Sequence, residues 1–404
     1  MTKPISLVPG REYLAIPGPS VIPDAVLQAM HRPSPNIYDG ELIEMMPALT
    51  RDLKRVARTD HNVAIYISNG HGTWEAALSN VIAPGERVLA PASGMFTHGW
   101  AEMAEGIGAK VDLIDFGMSA PWDMGRIAEA LRADNDHEIR AVLAVHVDTS
   151  TSIRNNIPAL RALLDDLNHP ALLMADCIAS LGCDRFEMDA WGVDVTVTAC
   201  QKGLMTPAGM GFVFFNDKAQ AKRAEMPRVS QYWDWQTRVK PQLFYQYFNG
   251  TAPTHHLYGL RTALDFIHAE GIEQVWARHE HLAKAIWTAC ETWAEGGALE
   301  LNVAERTHRS RAVTALRLKD GQGTRLRQFA ETQLGLTLGI GLGMADWDGC
   351  FRLGHMGHVN GQMVMAMLGG VETAMAALNI PRGRGALEAA AAALAGCPAR
   401  QTKA

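Results

Sequence analysis

The chain has 404 residues, of which 48% are hydrophobic and 20% are charged, and its formal net charge is −6. This composition is that of an ordinary globular protein long enough for two domains, and it excludes a disordered chain. Because the sequence has no cluster of Lys and Arg residues, nucleic acid is not expected as its main partner.

The N-terminus has no charged segment followed by a long apolar core, and no run of about 18 apolar residues occurs later. Neither secretion nor membrane spanning is therefore expected. The six cysteines include no CxxC pair and lie mostly in apolar surroundings, as reduced cytoplasmic cysteines do. We predict a cytoplasmic protein without a metal site.

Strand-like apolar runs alternate with helical patterns between residues 60 and 215. The runs are Val63–Ile67, Arg87–Ala92, Lys110–Phe116, Ala141–Val147, Ala171–Asp176, Val193–Cys200 and Gly209–Phe215. Near-continuous apolar strands separated by helices are typical of parallel sheets with both faces covered. The sequence therefore predicts an α/β domain built on a mostly parallel seven-stranded sheet.

A glycine-rich turn, SNGHGT, follows the first of these strands and opens a helix in which we expect Glu75 to lie in the first turn. Gly70 and Gly72 would allow close approach and a positive φ. The N–H groups of Gly70, His71 and Gly72, together with the helix dipole, could then hold a phosphate. Such a loop alone is weak evidence.

Asp176 ends one apolar run, and Lys202 follows the next. Taken alone, the pair fits better an Asp that caps the following element and a surface lysine in a turn. Both residues fall where parallel sheets bind ligands, at strand carboxyl ends. An Asp there can keep a pyridine nitrogen protonated, and a desolvated lysine can form a Schiff base. With the glycine-rich turn, the pattern predicts pyridoxal phosphate.

From Glu273 to about Leu378 the pattern changes to a smaller α+β domain with a long helix, a strand at residues 312–318 and a closing helix Gly361–Leu378. We predict an N-terminal arm (1–20), a large domain (21–270), a small domain (271–385) and a C-terminal tail (386–404). The aromatic segment Tyr232–Tyr247 could line a dimer interface or the substrate entrance, or it could be a buried loop cluster.

Seven motifs occur in one order along nearly the whole chain: IPGPS (16–20), SNGHGTWEAA (68–77), HVDTSTS (146–152), ADCIASLG (175–182), CQKGLMTPAGMGF (200–212), LYGLRTALDFI (257–267) and FRLGHMGHVN (351–360). In these motifs the chain resembles the class V, fold-type I aminotransferases, in particular the alanine–glyoxylate and serine–glyoxylate enzymes. The resemblance implies the fold-type I architecture and pyridoxal phosphate as cofactor.

The resemblance also implies residue roles. Lys202 would carry the cofactor and Asp176 would bind its pyridine nitrogen. The other cofactor-binding residues that it implies are Phe96 stacked on the ring, Ile178 packed against it, Thr149 at its polar edge, Gly70, His71, Gly72 and Gln201 at the phosphate, and Thr251 at the phosphate of a neighbouring subunit. A homodimer with shared active sites follows from the last of these roles.

Arg352 corresponds to the arginine that binds the substrate's α-carboxylate, and the planar guanidinium suits a bidentate contact. Its alternative is an ion pair with Asp346 or Asp348. The chain departs from the family at Gly250, Phe248 and Ser152, where several relatives carry a larger residue, a phosphate-binding tyrosine and a glycine. These departures leave the pocket's shape open.

We therefore predict a transaminase that works in two half-reactions, moving an amino group from a small amino acid to a small 2-oxo acid. Serine or alanine is the favoured donor and glyoxylate the favoured acceptor. One alternative is a lyase of the same fold, similar to cysteine desulfurases, which would use Cys350 as its nucleophile. The other is a catalytically silent cofactor-binding module.

Overall fold

The computed structural model describes residues 6–397. In chain order its strands are β1 (Tyr13–Ala15), β2 (Asn62–Tyr66), β3 (Arg87–Ala92), β4 (Lys110–Asp115), β5 (Ile139–Val145), β6 (Val147–Asp148), β7 (Ile153–Arg154), β8 (Leu172–Asp176), β9 (Val195–Ala199), β10 (Gly211–Phe215), β11 (Leu299–Leu301), β12 (Val313–Leu318), β13 (Leu336–Ile340) and β14 (Cys350–Gly354).

The helices alternate with these strands in the first half of the chain and gather in the second. They are α1 (Asp24–Met30), α2 (Glu41–Ala57), α3 (Gly70–Val81), α4 (Met95–Gly106), α5 (Met124–Ala133), α6 (Ile157–Asp166), α7 (Asp217–Glu225), α8 (Gln236–Val239), α9 (Thr254–Glu270), α10 (Ile272–Ala294), α11 (Gln322–Leu334), α12 (Gly361–Ala377) and α13 (Ala386–Ala395).

Seven strands form the large sheet in the order β2-β10-β9-β8-β5-β3-β4. All neighbours are parallel except β10, which runs antiparallel to β2 and β9. Every residue of β8, β9 and β10 is buried, as expected for strands with both faces covered. The predicted sheet is confirmed, and each predicted strand lies within two residues of its observed bounds.

Five strands form the small sheet in the order β1-β13-β14-β12-β11. Its core is formed with helices α10, α11, α12 and α13. Strand β1 lies within the predicted N-terminal arm, yet it pairs in parallel with β13. The N-terminal segment thus joins the small sheet, while the division of the chain into four parts stays a prediction.

The aromatic segment Tyr232–Tyr247 is held from within by Arg238, which is 1% exposed. Its guanidinium donates to the carbonyls of Ile65, Tyr247 and Tyr232. Leu243 and Tyr245 nevertheless remain 59% and 52% exposed. The segment therefore has a buried anchor and an exposed apolar edge, and its role at an interface stays a prediction.

None of the helices within residues 6–397 has both the length and the hydropathy that a membrane crossing requires.

Candidate active site

The carboxyl ends of β8 and β9 lie side by side, and they bring Asp176 and Lys202 to one buried cleft. Asp176 is 3% exposed. The ammonium of Lys202 lowers the pKa of Asp176, and the carboxylate of Asp176 in turn raises the pKa of Lys202. The two side chains therefore act on each other across a common site.

Both oxygens of the Asp176 carboxylate accept hydrogen bonds. Oδ1 accepts from the N–H of Ile178 at 2.7 Å, and Oδ2 accepts from Nε1–H of Trp74 at 2.9 Å. Burial raises the pKa of Asp176 to about 7, the nearby Asp148 adds to the rise, and the two donors oppose it. A single donor can therefore decide whether this carboxyl is charged near neutral pH.

Lys202 lies beneath the N-terminal segment. Its Nζ donates to the carbonyl oxygen of Pro17, and its own carbonyl accepts from Oγ of Ser20 at 2.7 Å. Burial, followed by the positive charge of Arg352, lowers the pKa of Lys202 to about 8. The amine can therefore lose its proton far more easily than an exposed lysine.

The glycine-rich turn is the N-terminus of helix α3. The helix begins at Gly70 and is capped by Asn69, whose Oδ1 accepts from the N–H of Gly72 at 3.1 Å. The predicted first-turn position of Glu75 is wrong, because the helix starts earlier. A positive φ at Gly70 and Gly72 is wrong for the same reason, since both residues are helical.

No side chain fits at Gly70, because a Cβ there would lie 2.5 Å from Cδ1 of Ile178; the close approach of its backbone to a phosphate stays a prediction. The N–H groups of Gly70 and His71 stand at the open start of α3, where helix N–H groups have no partner within the helix. Because the helix dipole adds positive potential there, this end of α3 suits an anion. The phosphate role of Gly70, His71 and Gly72 stays a prediction.

Phe96 lies in the first turn of α4, and a neighbouring loop fixes the start of that helix. Oδ2 of Asp148 accepts from the N–H of Phe96 at 2.9 Å, and Oγ of Ser150 accepts from the N–H of Met95 at 3.1 Å. The Phe96 ring lies 6.4 Å from the ring of His71, between centroids. The structure therefore brings Phe96 to the glycine-rich turn.

Arg352, on β14, is 7% exposed. Its Nε donates to the carbonyl of Ile340 and its Nη1 to the carbonyl of Thr149, each at 2.7 Å. The alternative ion pair is wrong, because Asp346 accepts from the N–H of Gly349 and Asp348 from Oγ1 of Thr324. Burial lowers the pKa of Arg352 to about 10, and no residue of 6–397 accepts a hydrogen bond from its Nη2.

Gln201 and Thr251 differ in their surroundings. Oε1 of Gln201 is buried and has no hydrogen-bond partner among the described residues. Thr251 is exposed, and no hydrogen bond joins its hydroxyl to another residue of 6–397. Both roles at a phosphate stay predictions.

The structure shows the surroundings of the three residues that depart from the family pattern. Phe248 is fully buried and packs against Phe244 and Tyr247. A Cβ added to Gly250 would meet nothing within 4 Å. Oγ of Ser152, also buried, accepts from the N–H of Ala315 at 3.1 Å, so this serine joins the small sheet to the loop that carries Thr149.

Three contacts at the site were not found from sequence: those of Trp74 with Asp176, of Asp148 with α4 and of Pro17 with Lys202. The first and last join residues 102 and 185 positions apart. Pro17 did stand in a recognised motif, whereas nothing in one sequence separates Trp74 from an ordinary core tryptophan.

The cleft fits pyridoxal phosphate in three respects. The buried carboxylate of Asp176 suits a protonated pyridine nitrogen. Lys202 lies close enough to feel the charge of Asp176, and its pKa is lowered, as a Schiff-base lysine requires. The open N-terminus of α3 suits a phosphate group.

Cys350, the nucleophile of the lyase alternative, does not lie in a mobile or exposed segment. Cys350 is buried on β14, and burial raises the pKa of its thiol. A reactive cysteine requires an accessible site that favours the thiolate. The geometry of Cys350 is therefore that of a core residue and gives no support to the lyase alternative.

A second cluster of titratable residues, Asp134, His137 and His169, lies far along the large sheet beside β5 and β8. Nδ1 of His169 accepts from the N–H of Ala171, so its Nε2 carries the proton and donates to Oδ2 of Asp134 at 3.1 Å. Both ring nitrogens of His169 are thus occupied, and hydrogen bonding explains the cluster.

A family model and several named relatives of this chain agree on one family. The family model described as aminotransferase class-V matches residues 13–346. The serine–glyoxylate aminotransferase of Methylorubrum extorquens is 35% identical over 378 residues, which cover 91% of this chain and 92% of the relative. The L-aspartate–glyoxylate aminotransferase of Paracoccus denitrificans is 34% identical and covers 91% of each chain.

Solved structures agree with this likeness. The pyridoxamine–pyruvate aminotransferase of Mesorhizobium loti superposes with a TM-score of 0.85 at 26% identity, over 95% of this chain and 97% of that one. The ureidoglycine–glyoxylate aminotransferase of Bacillus subtilis also gives a TM-score of 0.85, at 24% identity, over 97% and 99%. The latter identity speaks for the fold alone.

Proposed function

The chain belongs to the class-V aminotransferases, and from this premise we propose that it transfers the amino group of serine or alanine to glyoxylate. The chain is an aminotransferase that uses pyridoxal phosphate. The observation that carries the proposal is that the charges of Asp176 and Arg352 both act on the amine of Lys202. Two relatives named serine–glyoxylate aminotransferase, at 35% and 33% identity, favour this donor and acceptor.

When bound, pyridoxal phosphate supplies an aldehyde that accepts amino groups and a protonated ring that withdraws electrons from the substrate. Asp176 would hold the proton on the ring nitrogen through a charge-assisted hydrogen bond. Phe96 and Ile178 would pack against the ring. Gly70, His71, Gly72 and Gln201 would hold the phosphate, and Thr149 would contact the ring's polar edge.

Lys202 would hold the cofactor at rest. Its Nζ would also serve as the base that takes the donor's α-proton and as the acid that returns a proton in the same half-reaction. With a pKa of about 8, about one molecule in ten carries a neutral amine at pH 7, against roughly one in several thousand for an ordinary lysine. The second half-reaction uses the same atoms in reverse.

Arg352 binds the α-carboxylate of both substrates. Two backbone carbonyls fix its guanidinium plane, and its charge lowers the pKa of the nearby Lys202. A planar fork held in this way can donate two parallel bonds to one carboxylate. Small substrates without a second charge suit a site with one such arginine.

We further propose that the enzyme is a cytoplasmic homodimer in which Thr251 of each subunit contacts the phosphate of the other. Thr251 is exposed in the single chain, close in sequence to the exposed side chains of Leu243 and Tyr245. An apolar edge beside an unpaired hydroxyl suits a subunit contact. The four-part domain division given above belongs to the same proposal.

The test is a donor and acceptor panel with the purified enzyme loaded with cofactor. Serine, alanine and aspartate are combined with glyoxylate, pyruvate and 2-oxoglutarate, and kcat/KM is measured for each pair. We expect the highest value for serine or alanine with glyoxylate, and a Lys202→Ala protein sets the background. A tenfold preference for aspartate, or for an acceptor other than glyoxylate, would overturn the substrate assignment.

A further inference from the structure

The indole of Trp74 lies behind the candidate active site and is 1% exposed. Its Nε1–H is the sole side-chain donor to Asp176 within residues 6–397, and the bond to Oδ2 measures 2.9 Å. The other oxygen, Oδ1, has a backbone donor, the N–H of Ile178. The two donors together fix the plane of the carboxylate and leave its remaining lone pairs for a ligand.

The indole is held in one orientation by the rings around it. It stacks on Trp100 with 6.0 Å between ring centroids and 16° between ring planes. It meets Phe96 edge-on at 6.2 Å and His71 edge-on at 4.6 Å. Because these contacts restrict the indole, the direction of its N–H is set before any ligand binds.

The charge of Asp176 depends on few groups. Burial and the carboxylate of Asp148 oppose ionisation, whereas Lys202, Ile178 and Trp74 favour it. His71, on the same helix as Trp74, has a pKa lowered by burial and by Lys202, so it adds little charge near neutral pH. Of the three groups that favour the charged form, Ile178 acts through its backbone N–H and Lys202 takes part in the proposed reaction. Trp74 is the side chain among them that takes no part in it.

We propose that Trp74 is a positioning residue that keeps Asp176 ionised and aimed at the pyridine nitrogen, and that it thereby sets the affinity for the cofactor. The proposal rests on the role given to Asp176 under the proposed function. Trp74 itself has no contact with the reacting atoms and acts through Asp176. Loss of the indole N–H weakens cofactor binding most at pH values near or below the pKa of Asp176, where the carboxylate is close to protonation.

The experiment compares Trp74→Phe with Trp100→Phe, which is a matched control. Trp100 is fully buried in the same aromatic cluster, yet its Nε1 has no partner among the described residues. Both changes remove one indole N–H and part of one ring. Cofactor-free protein is titrated with pyridoxal phosphate from pH 6 to 9, and the dissociation constant is measured by equilibrium dialysis.

We expect Trp74→Phe to bind the cofactor about 10- to 100-fold more weakly at pH 7, the factor for losing one hydrogen bond to a charged group. Asp176 then needs a higher pH to ionise, so the acid limb of the binding curve moves up by about one unit or more. The deficit shrinks as the pH rises. Trp100→Phe stays within about threefold of the unchanged protein at every pH.

An equal loss at all pH values, or an equal loss in Trp100→Phe, would mean that packing and not the N–H matters, and the proposal would fail. Trp74→His places a ring N–H at the position of the indole N–H, so it should bind more tightly than Trp74→Phe. If Trp74→Phe does not fold, Trp74→His is the test. If the acid limb of its cofactor-binding curve lay at higher pH than that of the unchanged protein, the proposal would be overturned. If the unchanged protein bound no cofactor, the proposed function itself would fail.

Discussion

Replacing Arg352 by lysine keeps the positive charge but removes the planar fork. A guanidinium has five N–H groups, and in Arg352 one at Nε and one at Nη1 donate to the carbonyls of Ile340 and Thr149. The rest can hold a carboxylate bidentately. A lysine ammonium has three N–H groups and cannot meet both carbonyls and both carboxylate oxygens.

At least one charge-assisted bond to the carboxylate is therefore lost in Arg352→Lys, at about 1.5–3 kcal/mol. This corresponds to a roughly 10- to 100-fold fall in kcat/KM. Because both substrates carry an α-carboxylate, KM for the amino donor and KM for the 2-oxo acid should both rise. Steady-state kinetics with each substrate varied in turn measures the two values.

Arg309→Lys is the matched control for this experiment. Arg309 is 5% exposed and also donates to two backbone carbonyls, those of Val303 and Ala304. Its third partner is the carboxylate of Glu291 at 2.6 Å, and none of these hydrogen bonds reaches Asp176, Lys202 or Thr149. Both KM values should stay within about twofold there. If Arg352→Lys left both KM values unchanged, or raised only one, the shared carboxylate site would be refuted.

Three further outcomes are expected. The cofactor-free protein should take up pyridoxal phosphate faster as the pH rises through about 8, because only the neutral amine of Lys202 attacks the aldehyde. Visible absorbance follows the uptake, and a midpoint of the pH–rate curve near 10.5 would contradict the lowered pKa of Lys202. Gly203→Ala should lower the thermal midpoint, since its Cβ would lie 2.1 Å from the carbonyl oxygen of Leu181. Gly369→Ala, with open space inside α12, should raise it by about 1 °C. Cys350→Ser should keep transamination, and any release of sulfide from cysteine that depends on this thiol would revive the lyase alternative.

The sequence predicted the large sheet well because its strands are buried on both faces and read as continuous apolar runs. The same pattern put Asp176 and Lys202 at adjacent strand ends, where the structure brings them together. The start of α3 was misplaced, although Asn69 is a strong N-cap residue and gave a usable signal. The partners of Asp176 and Lys202 could not be predicted, because Trp74 and Pro17 reach them only through tertiary packing.

Strand β1 ends two residues before Pro17, whose carbonyl accepts from Lys202. The partner of β1 is β13, which also pairs with the strand that carries Arg352. The pairings of β1, β13 and β14 therefore connect Arg352, which is proposed to bind the substrate, with Lys202, which is proposed to bind the cofactor. Tags or deletions that disturb Tyr13–Ala15 would change the surroundings of Lys202, so expression designs for this enzyme should leave that strand intact.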